Sequence, residues 1–439
     1  MEIELISRET IKPSLPTPSH LRIYPLSFID NIMRRTYVPI IFFYKPNDIS
    51  DQNFKISQLR KSLSQLLSKY YPFAGRLKDK ITIECNDQGV SFLVAKIKNK
   101  LSEILQNPTD NLLNPLFPDE LQWTNMDWSE TLISFQINCF SCGGMAISTC
   151  VSHKVSDAST ILNFMHDWSL INRKIEEENE TGFLVLPVSN LLDGGASIFS
   201  QKDLPIFQEV LPLKRESNVV CKRFVFQPSM INFLKAMVTS SPRSIEVVTA
   251  WIYKCVVSII GLNIETTPFN TVVDLRKKMV PPLSEKCVGN IIWPMSIVFD
   301  KKEMELEDLV CKIEEGLYEF NDVYPKIFGE NRKDNLSLIS KCLKQATDPR
   351  PENENTFTFS SWCRLPMYKT DFGWGKPTWV TTYSSFSRDV IILMDTKNGN
   401  GIEVMVNLKE DVMEKFEHEV ELLQHASFIP NPSNVEHDA

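Results

Sequence analysis

Residues 146–157, with the sequence AISTCVSHKVSD, join two segments of different periodicity. Residues 146–151 alternate small, apolar and polar side chains, as buried strands do. The stretch therefore predicts a strand that ends near His153 and a helix that begins near Asp157. Beyond Asp157 the apolar residues recur at helical spacing: Ile161, Met165, Trp168 and Ile171.

His153 is the candidate general base. An imidazole changes charge near neutral pH, and the elements on either side hold its backbone where a substrate can meet the ring. The alternative is a core histidine whose ring binds a backbone carbonyl. The small residues upstream, Gly143 and Gly144, and the carboxylate four positions on fit a functional site. On this pattern alone both interpretations stay open.

Asp157 has a structural and a catalytic interpretation. A carboxylate at a helix start caps free N–H groups, which contributes about 1 kcal/mol, or it pairs with an arginine. It can also orient an imidazole, as the third member of a catalytic triad does. We favour the structural role.

Two other kinds of site are weaker. A metal held by His153 and Asp157 lacks a third ligand at suitable spacing, since His166 is not one turn from Asp157. A cysteine nucleophile paired with His153 would be Cys142 or Cys150. Both cysteines lie in or beside the strand pattern, where the residue is usually a packing residue.

The composition is that of a globular protein: 43% of the 439 residues are hydrophobic and 23% are charged. This length predicts two large domains or one α/β body. The net charge is −8 and no block of Lys and Arg occurs, so we expect no nucleic-acid partner. The apolar runs 38–43 and 390–394 are far shorter than the roughly 20 residues of a membrane helix.

The first residues, MEIEL, lack the basic flank and apolar core of a secretory signal, so we expect a cytosolic protein. Ten cysteines are scattered without a CxxC pair. In a long chain without a signal peptide they predict free thiols rather than disulfides.

The first half alternates strands and helices. We expect a hairpin over residues 81–97, turning at the NDQG sequence of residues 86–89. The other elements predicted in this half are a strand at 38–44, an amphipathic helix at 56–70 and neighbouring strands at 131–140 and 144–151.

Periodicity is lost from about 186 to 212, where several prolines and the Gly194-Gly195 pair break regular structure. We interpret this segment as the crossing between two domains. The second half then predicts one further helix, after residue 408, with a buried stripe of Val412, Phe416, Val420 and Leu423. Before it come strands at 219–226, 269–276, 291–299, 377–385, 389–396 and 401–408, and helices at 229–238, 244–260 and 303–320.

Two clusters of the second half carry unusual residues. Asp371-Phe372-Gly373-Trp374-Gly375 predicts a tight turn, and no helix follows it to make a phosphate cradle. Asp274-Leu275-Arg276 ends a strand, and Arg276 can hold either a phosphate or a protein carboxylate.

Together these motifs resemble the plant BAHD acyl-CoA-dependent acyltransferases, and within them the alkaloid acetyltransferases. The chain carries HxxxD at His153–Asp157 and DFGWG at Asp371–Gly375. The further landmarks span nearly the whole chain: IKPSLPTP at 11–18, Leu26-Ser27 with Asp30, YPFAGR at 71–76, Asp274–Arg276, Gly289-Asn290 and SWCRLP at 361–366.

The resemblance implies an α/β fold of two similar-sized domains with mixed sheets, like chloramphenicol acetyltransferase, separated by a solvent channel. We expect an N-terminal domain at 1–185, a crossover linker at 186–213, a C-terminal domain at 214–430 and a disordered tail at 431–439. His153 would lie mid-channel, reachable by acyl-CoA from one side and by the acceptor from the other. It would take a proton from the acceptor hydroxyl and return it to the departing thiolate, without an acyl-enzyme.

The resemblance also implies roles for other residues. Asp157 would pair with Arg276, and Asp371, Gly373, Trp374 and Gly375 would be structural. The oxyanion donors would be Ser360 and Trp362. Coenzyme A would pass near Ser244, Gly289 and Asn290.

One position departs from the family. Many of the closer relatives carry Asn where this chain has Asp274, and a carboxylate there competes with Asp157 for Arg276.

The sequence thus predicts a monomeric acetyl-CoA-dependent O-acetyltransferase of a specialised metabolite, an alkaloid, with no metal and no permanently bound cofactor. The alternatives are transfer of a larger acyl group, transfer to an amine, a silent relative that only binds metabolites, and a cysteine hydrolase. The intact His153 and Asp157 argue against the silent relative.

Overall fold

The computed structural model describes residues 1–47, 51–118, 130–177, 194–205, 218–260, 266–300, 302, 304–329, 334–347, 356–382 and 389–428. The expected tail, 431–439, lies outside the described residues. Of the expected crossing, only residues 194–205 are described, so its limits stay a prediction.

The strands of the described part are β1 (Ile3–Ile11), β2 (Ile23–Pro25), β3 (Tyr37–Tyr44), β4 (Arg76–Leu77), β5 (Thr82–Glu84), β6 (Val90–Ile97), β7 (Ile133–Phe140), β8 (Met145–Ser152), β9 (Val219–Phe226), β10 (Thr266–Asp274), β11 (Ile292–Asp300), β12 (Phe357–Ser361), β13 (Trp379–Thr381), β14 (Val390–Asp395), β15 (Ile402–Lys409) and β16 (Ser427–Phe428).

The helices of the same part are α1 (Phe28–Ile32), α2 (Gln52–Lys69), α3 (Leu101–Gln106), α4 (Asp110–Leu113), α5 (Ala158–Glu177), α6 (Gly195–Ile198), α7 (Pro228–Ala236), α8 (Ser244–Ile260), α9 (Leu306–Phe328), α10 (Leu336–Thr347), α11 (Glu410–Phe416) and α12 (Val420–His425).

Two large mixed sheets organise these elements into two domains. One sheet has the order β1-β6-β7-β8-β3-β13, and the other the order β11-β10-β12-β14-β15-β9-β16. A smaller sheet has the order β2-β5-β4. Strand β13 pairs antiparallel with β3, so a strand from late in the chain completes the sheet of the first domain. The predicted α/β fold with two sheet-containing domains is confirmed.

Each large sheet packs against its own helices. Helices α2 and α5 cover the six-stranded sheet, and the Trp168 indole N–H of α5 donates to Ser62 Oγ of α2 at 2.9 Å. Helix α8 is buried on nearly every side against the seven-stranded sheet and α9. Continuous apolar stripes on these helices account for both cores.

The seven-stranded sheet turns its other face toward the first domain. Phe359, Ile391 and Val404 belong to the core around α8. Ile392 and Met405, which point to the opposite face, belong to the core of the first domain. The sheet therefore packs against the first domain on this face.

The hairpin expected over residues 81–97 is wrong. Strand β5 pairs with β2 and β4 of the small sheet, whereas β6 pairs with β1 and β7. The turn residues carry the chain from one sheet to the other: Asp87 has φ 55° and accepts hydrogen bonds from Thr17 N and Oγ1. Alternation and turn residues are the same for a hairpin and for such a crossing.

The single final helix is also wrong. Helix α11 ends at Phe416, and Glu419 caps a second helix, α12, by accepting from Glu421 N. The break resets the helical phase, so Val420 and Leu423 are 65% and 45% exposed instead of buried.

Among the described residues, no helix combines the length and the hydropathy that a membrane span requires.

Candidate active site

His153 stands in the turn between β8 and α5. Every residue of β8 is buried, and His153 N donates to Thr36 O at 2.8 Å just beyond the strand. Val155 N donates to Ser152 O at 3.1 Å, which tightens the turn. The imidazole is half-buried, so a rigid strand end holds the backbone while the ring stays reachable.

Asn290 meets His153 twice. Its Nδ2 donates to His153 O at 2.7 Å, and its Oδ1 lies 3.1 Å from His153 Nδ1. The second hydrogen of Nδ2 points to Asp30 Oδ1 at 2.8 Å. With both amide hydrogens in use, Oδ1 is the atom that faces the ring, and it can only accept. In the neutral ring, Nδ1 is therefore the nitrogen that carries the proton, and Nε2 keeps its lone pair.

A backbone feature brings Asn290 to this place. Gly289 has φ 117°, a left-handed conformation that side-chain-bearing residues rarely adopt. Thr160 Oγ1, at the start of α5, donates to Gly289 O at 2.9 Å. The loop that carries Asn290 is thus fixed to the helix that follows His153.

Asp157 points to Arg276 and to backbone N–H groups. Arg276 Nη1 lies 2.8 Å from Asp157 Oδ2 and Nη2 lies 3.0 Å from Oδ1, in a two-point pair. Thr160 N and Ile291 N donate to the same carboxylate at 2.8 and 3.0 Å. Burial alone would raise the pKa of Asp157, but the Arg276 charge and these hydrogen bonds lower it below its usual value.

Arg276 also joins the loop that holds Asn290. Its Nε and Nη2 donate to Cys287 O, and Nη2 donates to Gly289 O at 3.3 Å. Although burial opposes the charge, the two nearby carboxylates raise the pKa of Arg276.

Asp274 does not displace Asp157. Its Oδ1 lies 3.2 Å from Arg276 Nη1 and accepts from Arg276 N at 2.9 Å. Asp157 keeps both of its contacts with the guanidinium and is almost fully buried, whereas the Asp274 side chain is 45% exposed. Lost hydration and the Asp157 charge raise the pKa of Asp274, against the effect of Arg276.

Ser360 and Trp362 lie at the end of β12, in the seven-stranded sheet that packs on the first domain. Ser360 pairs with Ile392 across the parallel strands and is half-buried. Trp362 N donates to Leu393 O at 2.7 Å, and the ring is buried in the first core. Within the described part of the chain, neither the Ser360 hydroxyl nor the Trp362 indole N–H has a protein hydrogen-bond partner.

Cationic side chains gather near Ser244. Ser244 begins α8, and Arg243 before it forms an ion pair with Glu246. Partial burial, followed by the charges of Arg243 and Arg364, lowers the pKa of Lys278. Lys278 thus lies within electrostatic reach of Arg243 and Arg364, and the Glu246 carboxylate offsets part of their effect. The net charge of these four groups is positive, which favours an anion there.

The DFGWG loop packs on the first domain. Asp371 Oδ1 accepts from Gly373 N at 2.9 Å and Gly375 N at 3.0 Å, and both glycines have positive φ. Phe372 is fully buried against Trp168. The Trp374 ring meets Tyr44 edge to face and carries Lys55 Nζ 5.5 Å from its centroid. These contacts are those of a structural turn.

The rival sites find little support in the geometry. All ten cysteines are free, as expected. Cys150 is buried within β8, and burial raises the pKa of its thiol, which disfavours a thiolate nucleophile. Cys142 Sγ accepts from Leu101 N at 3.3 Å. In the described residues no three acidic, histidine or cysteine side chains gather as metal ligands do.

No sequence pattern pairs Asn290 with His153, because 137 positions separate them. In the sequence, Asp30 stands out only as one of the N-terminal residues that resemble the family. Asn290 and Asp30 are recognised only when the hydrogen-bond donors and acceptors around the His153 imidazole are assigned in the structure.

Comparison with known proteins agrees with this geometry. The Transferase family model matches residues 1–423. The chain is 36% identical over 437 residues to akuammiline synthase 1 of Alstonia scholaris, covering 97% of this chain and 98% of that protein. It is 32% identical to stemmadenine O-acetyltransferase of Catharanthus roseus, covering 94% and 95%.

Solved structures show the same fold. The crystal structure of vinorine synthase superposes with a TM-score of 0.82 at 29% identity, covering 98% of this chain and 100% of that one. F. sporotrichioides TRI101 complexed with coenzyme A and T-2 gives a TM-score of 0.70 at 15% identity, covering 92% and 99%, which is a likeness of fold alone. With a family match over nearly its whole length, the chain belongs to the Transferase family of BAHD acyltransferases and is an acyltransferase enzyme.

Proposed function

We propose that this enzyme transfers an acetyl group from acetyl-CoA to a hydroxyl of a plant specialised metabolite, an alkaloid, with His153 as general base. The observation that carries the proposal is the His153–Asn290 contact. It leaves Nε2 of a half-buried imidazole unprotonated and available to an acceptor hydroxyl.

The reaction proceeds without an acyl-enzyme. His153 Nε2 takes the hydroxyl proton as the acceptor oxygen attacks the thioester carbonyl, and a C–O bond forms. The tetrahedral oxyanion meets the Ser360 hydroxyl and the Trp362 indole N–H, two donors for which the described residues supply no hydrogen-bond partner. The C–S bond then breaks, and the imidazolium returns its proton to the CoA thiolate.

Charge supports a place for coenzyme A. Its phosphates are anionic, and Lys278 lies within electrostatic reach of Arg364 and of Arg243, the residue before Ser244. Asn290 contacts His153 and Gly289 precedes it, so the acyl end of the co-substrate would pass them. The acceptor would enter the channel from the opposite side.

The names of several relatives favour an acetyl donor, but one relative transfers a malonyl group to nitrogen. Stemmadenine O-acetyltransferase and limonoid 1-O-acetyltransferase of Citrus sinensis are 32% and 34% identical to this chain. A 17,18-epoxy-17-hydroxycur-19-ene N-malonyltransferase of Strychnos nux-vomica is 34% identical, covering 98% of this chain. The second candidate function is therefore transfer of a larger acyl group, or transfer to an amine.

The test is a screen of the purified enzyme with acetyl-CoA and malonyl-CoA. Each donor is offered with alkaloid alcohols, limonoid alcohols and alkaloid amines, and products are identified by mass. The proposal expects an increase of one acetyl group on an alkaloid alcohol, and a rate of product formation at least about 10²-fold lower with His153→Ala. Malonylated or N-acylated products alone would establish the second candidate instead.

The proposal includes a monomeric enzyme that acts in the cytosol. Gel filtration with light scattering tests the first point, and fractionation of plant tissue that expresses the tagged chain tests the second.

A further inference from the structure

The carboxylate of Asp30 is buried at the junction of the domains. Asp30 lies in α1, and the residue is 2% exposed. Oδ2 accepts from Ser27 N at 2.9 Å and from Ser27 Oγ at 2.8 Å. Oδ1 accepts from the backbone N and from Nδ2 of Asn290, both at 2.8 Å. A residue of the first domain thus binds a loop of the second through two bonds.

Four donors point at this carboxylate, and they require its charged form. A proton on either oxygen would have to displace one of the four hydrogen bonds. Burial raises the pKa of Asp30, and the hydrogen bonds from Asn290 and Ser27 oppose that rise. Lys154 Nζ, bound to Asn31 O at 2.8 Å, brings a positive charge to the same helix.

The orientation of the Asn290 amide depends on Asp30. A carboxylate oxygen can only accept, so it binds Nδ2 and repels Oδ1. If the amide turned over, Oδ1 would face both Asp30 Oδ1 and His153 O, which can only accept, and Nδ2 would face His153 Nδ1. His153 Nδ1 would then have to accept, and the ring proton would move to Nε2. That tautomer has no lone pair on the nitrogen assigned to the acceptor.

We propose that Asp30 is a positioning residue for catalysis, which fixes the Asn290 amide and thereby the His153 tautomer that acts as a base. This inference rests on the proposed function for its catalytic consequence. Its structural content, a carboxylate that selects a histidine tautomer through an asparagine, stands on the hydrogen bonds alone. The base is then competent only when the two domains are docked.

Nitrogen NMR of the enzyme labelled with ¹⁵N-imidazole histidine reads the tautomer directly, at a pH where the ring is neutral. Wild type is expected to show His153 as the Nδ1–H form. In Asp30→Asn a neutral amide can present either group to Asn290, so a mixture is expected. In Asp30→Ala only His153 O still favours the native amide orientation, so some Nε2–H form is expected there as well. A predominant Nε2–H form in wild type, or an unchanged tautomer in both variants, overturns the proposal.

Ser27→Ala is the matched control. It removes the side-chain cap of α1 but leaves Asp30 and both Asn290 bonds in place. We expect a lower unfolding temperature in Ser27→Ala with the wild-type tautomer and kcat. In Asp30→Asn we expect kcat to fall by the same factor as the Nδ1–H fraction measured by NMR, with KM for acetyl-CoA within about threefold.

Equal losses of kcat in the Ser27 and Asp30 variants would reduce Asp30 to a helix cap and overturn the proposal. The tautomer is read without substrate, so it does not depend on the acyltransferase reaction. If the screen finds no acetylation but the tautomer shifts as expected, only the proposed function fails.

Discussion

Arg276, from the second domain, binds both carboxylate oxygens of Asp157, from the first, at 2.8 and 3.0 Å. The pair closes the domain junction immediately behind His153. The same guanidinium donates to Cys287 O and Gly289 O, which precede Asn290. Asp157 therefore braces the loop that carries Asn290, and its carboxylate is fully engaged away from the His153 imidazole.

Asp157→Ala should lower the free energy of unfolding by about 3–5 kcal/mol, because it leaves the buried Arg276 charge without its main partner. Urea unfolding followed by tryptophan fluorescence measures the change. Glu9→Ala is the control: it breaks the more exposed Arg60–Glu9 pair and should cost less than about 1 kcal/mol. A stable, well-folded but inactive Asp157→Ala enzyme would instead favour a catalytic role for Asp157.

Asp274→Asn should make the protein as stable as wild type near pH 4 and more stable at neutral pH. The pKa of Asp274 is raised in the folded state, so its stabilising contribution is present below the pKa of the unfolded chain and is lost as the pH rises through the raised value. The variant has no such titration and keeps an oxygen for Arg276.

Because the Asp274 side chain is 45% exposed, the gain at neutral pH should stay below about 1 kcal/mol. Urea unfolding midpoints of both proteins between pH 4 and pH 8 give the measurement. A variant that becomes less stable than wild type as the pH rises would show that the Asp274 charge is needed by Arg276.

Gly194→Ala should destabilise the crossing between the domains. The backbone there, φ −66° and ψ 152°, suits alanine, but the new Cβ would lie 1.9 Å from the Tyr24 hydroxyl oxygen. We expect a loss of about 1–3 kcal/mol, measured by urea unfolding. Adding Tyr24→Phe should restore part of it, since the closest atom is gone.

Gly195→Ala is the matched control for this prediction. Its nearest neighbour would be Ile291 Cγ1 at 3.5 Å, which is ordinary contact. We expect this variant to be neutral. If both alanine variants lose the same free energy of unfolding, or if Tyr24→Phe restores none of it, the close approach of Gly194 to Tyr24 does not explain why glycine is needed at position 194.

Phe372→Ala should cost about 3–5 kcal/mol by leaving a cavity beside Trp168 and Tyr44. Since this loop packs on the first core, activity should fall at the temperature where the variant unfolds and persist at lower temperature. Thermal unfolding and activity at several temperatures check this. Phe54→Ala, a 48% exposed position, should change little. Activity lost even at temperatures where Phe372→Ala is fully folded would contradict a structural role.

The sequence predicted the local features well, because they depend on neighbours along the chain. The strand before His153 and the helix after Asp157 follow from periodicity over residues 146–171. The hairpin over 81–97 failed because the strands at 82–84 and 90–97 choose partners in different sheets. Strand partners are set by tertiary packing, which alternation does not record.

The site shows the same limit. The resemblance placed Asn290 on the path of coenzyme A, and the structure brings its amide against His153. The role of Asp30 can be recognised only from the hydrogen bonds that join it, through Asn290 of the second domain, to His153 of the first. His153 and Asn290 are 137 positions apart, and Asn290 and Asp30 are 260 positions apart. Hydrogen bonds between residues so distant in sequence leave no local pattern.

The most direct test of general-base catalysis compares turnover of His153→Ala with that of wild type. With acetyl-CoA and the acceptor from the screen, kcat should fall by about 10² to 10⁴-fold while the unfolding temperature is unchanged. His418→Ala, at an exposed helix end, should retain wild-type turnover. Turnover of His153→Ala within tenfold of wild type would contradict the assignment of His153 as the base.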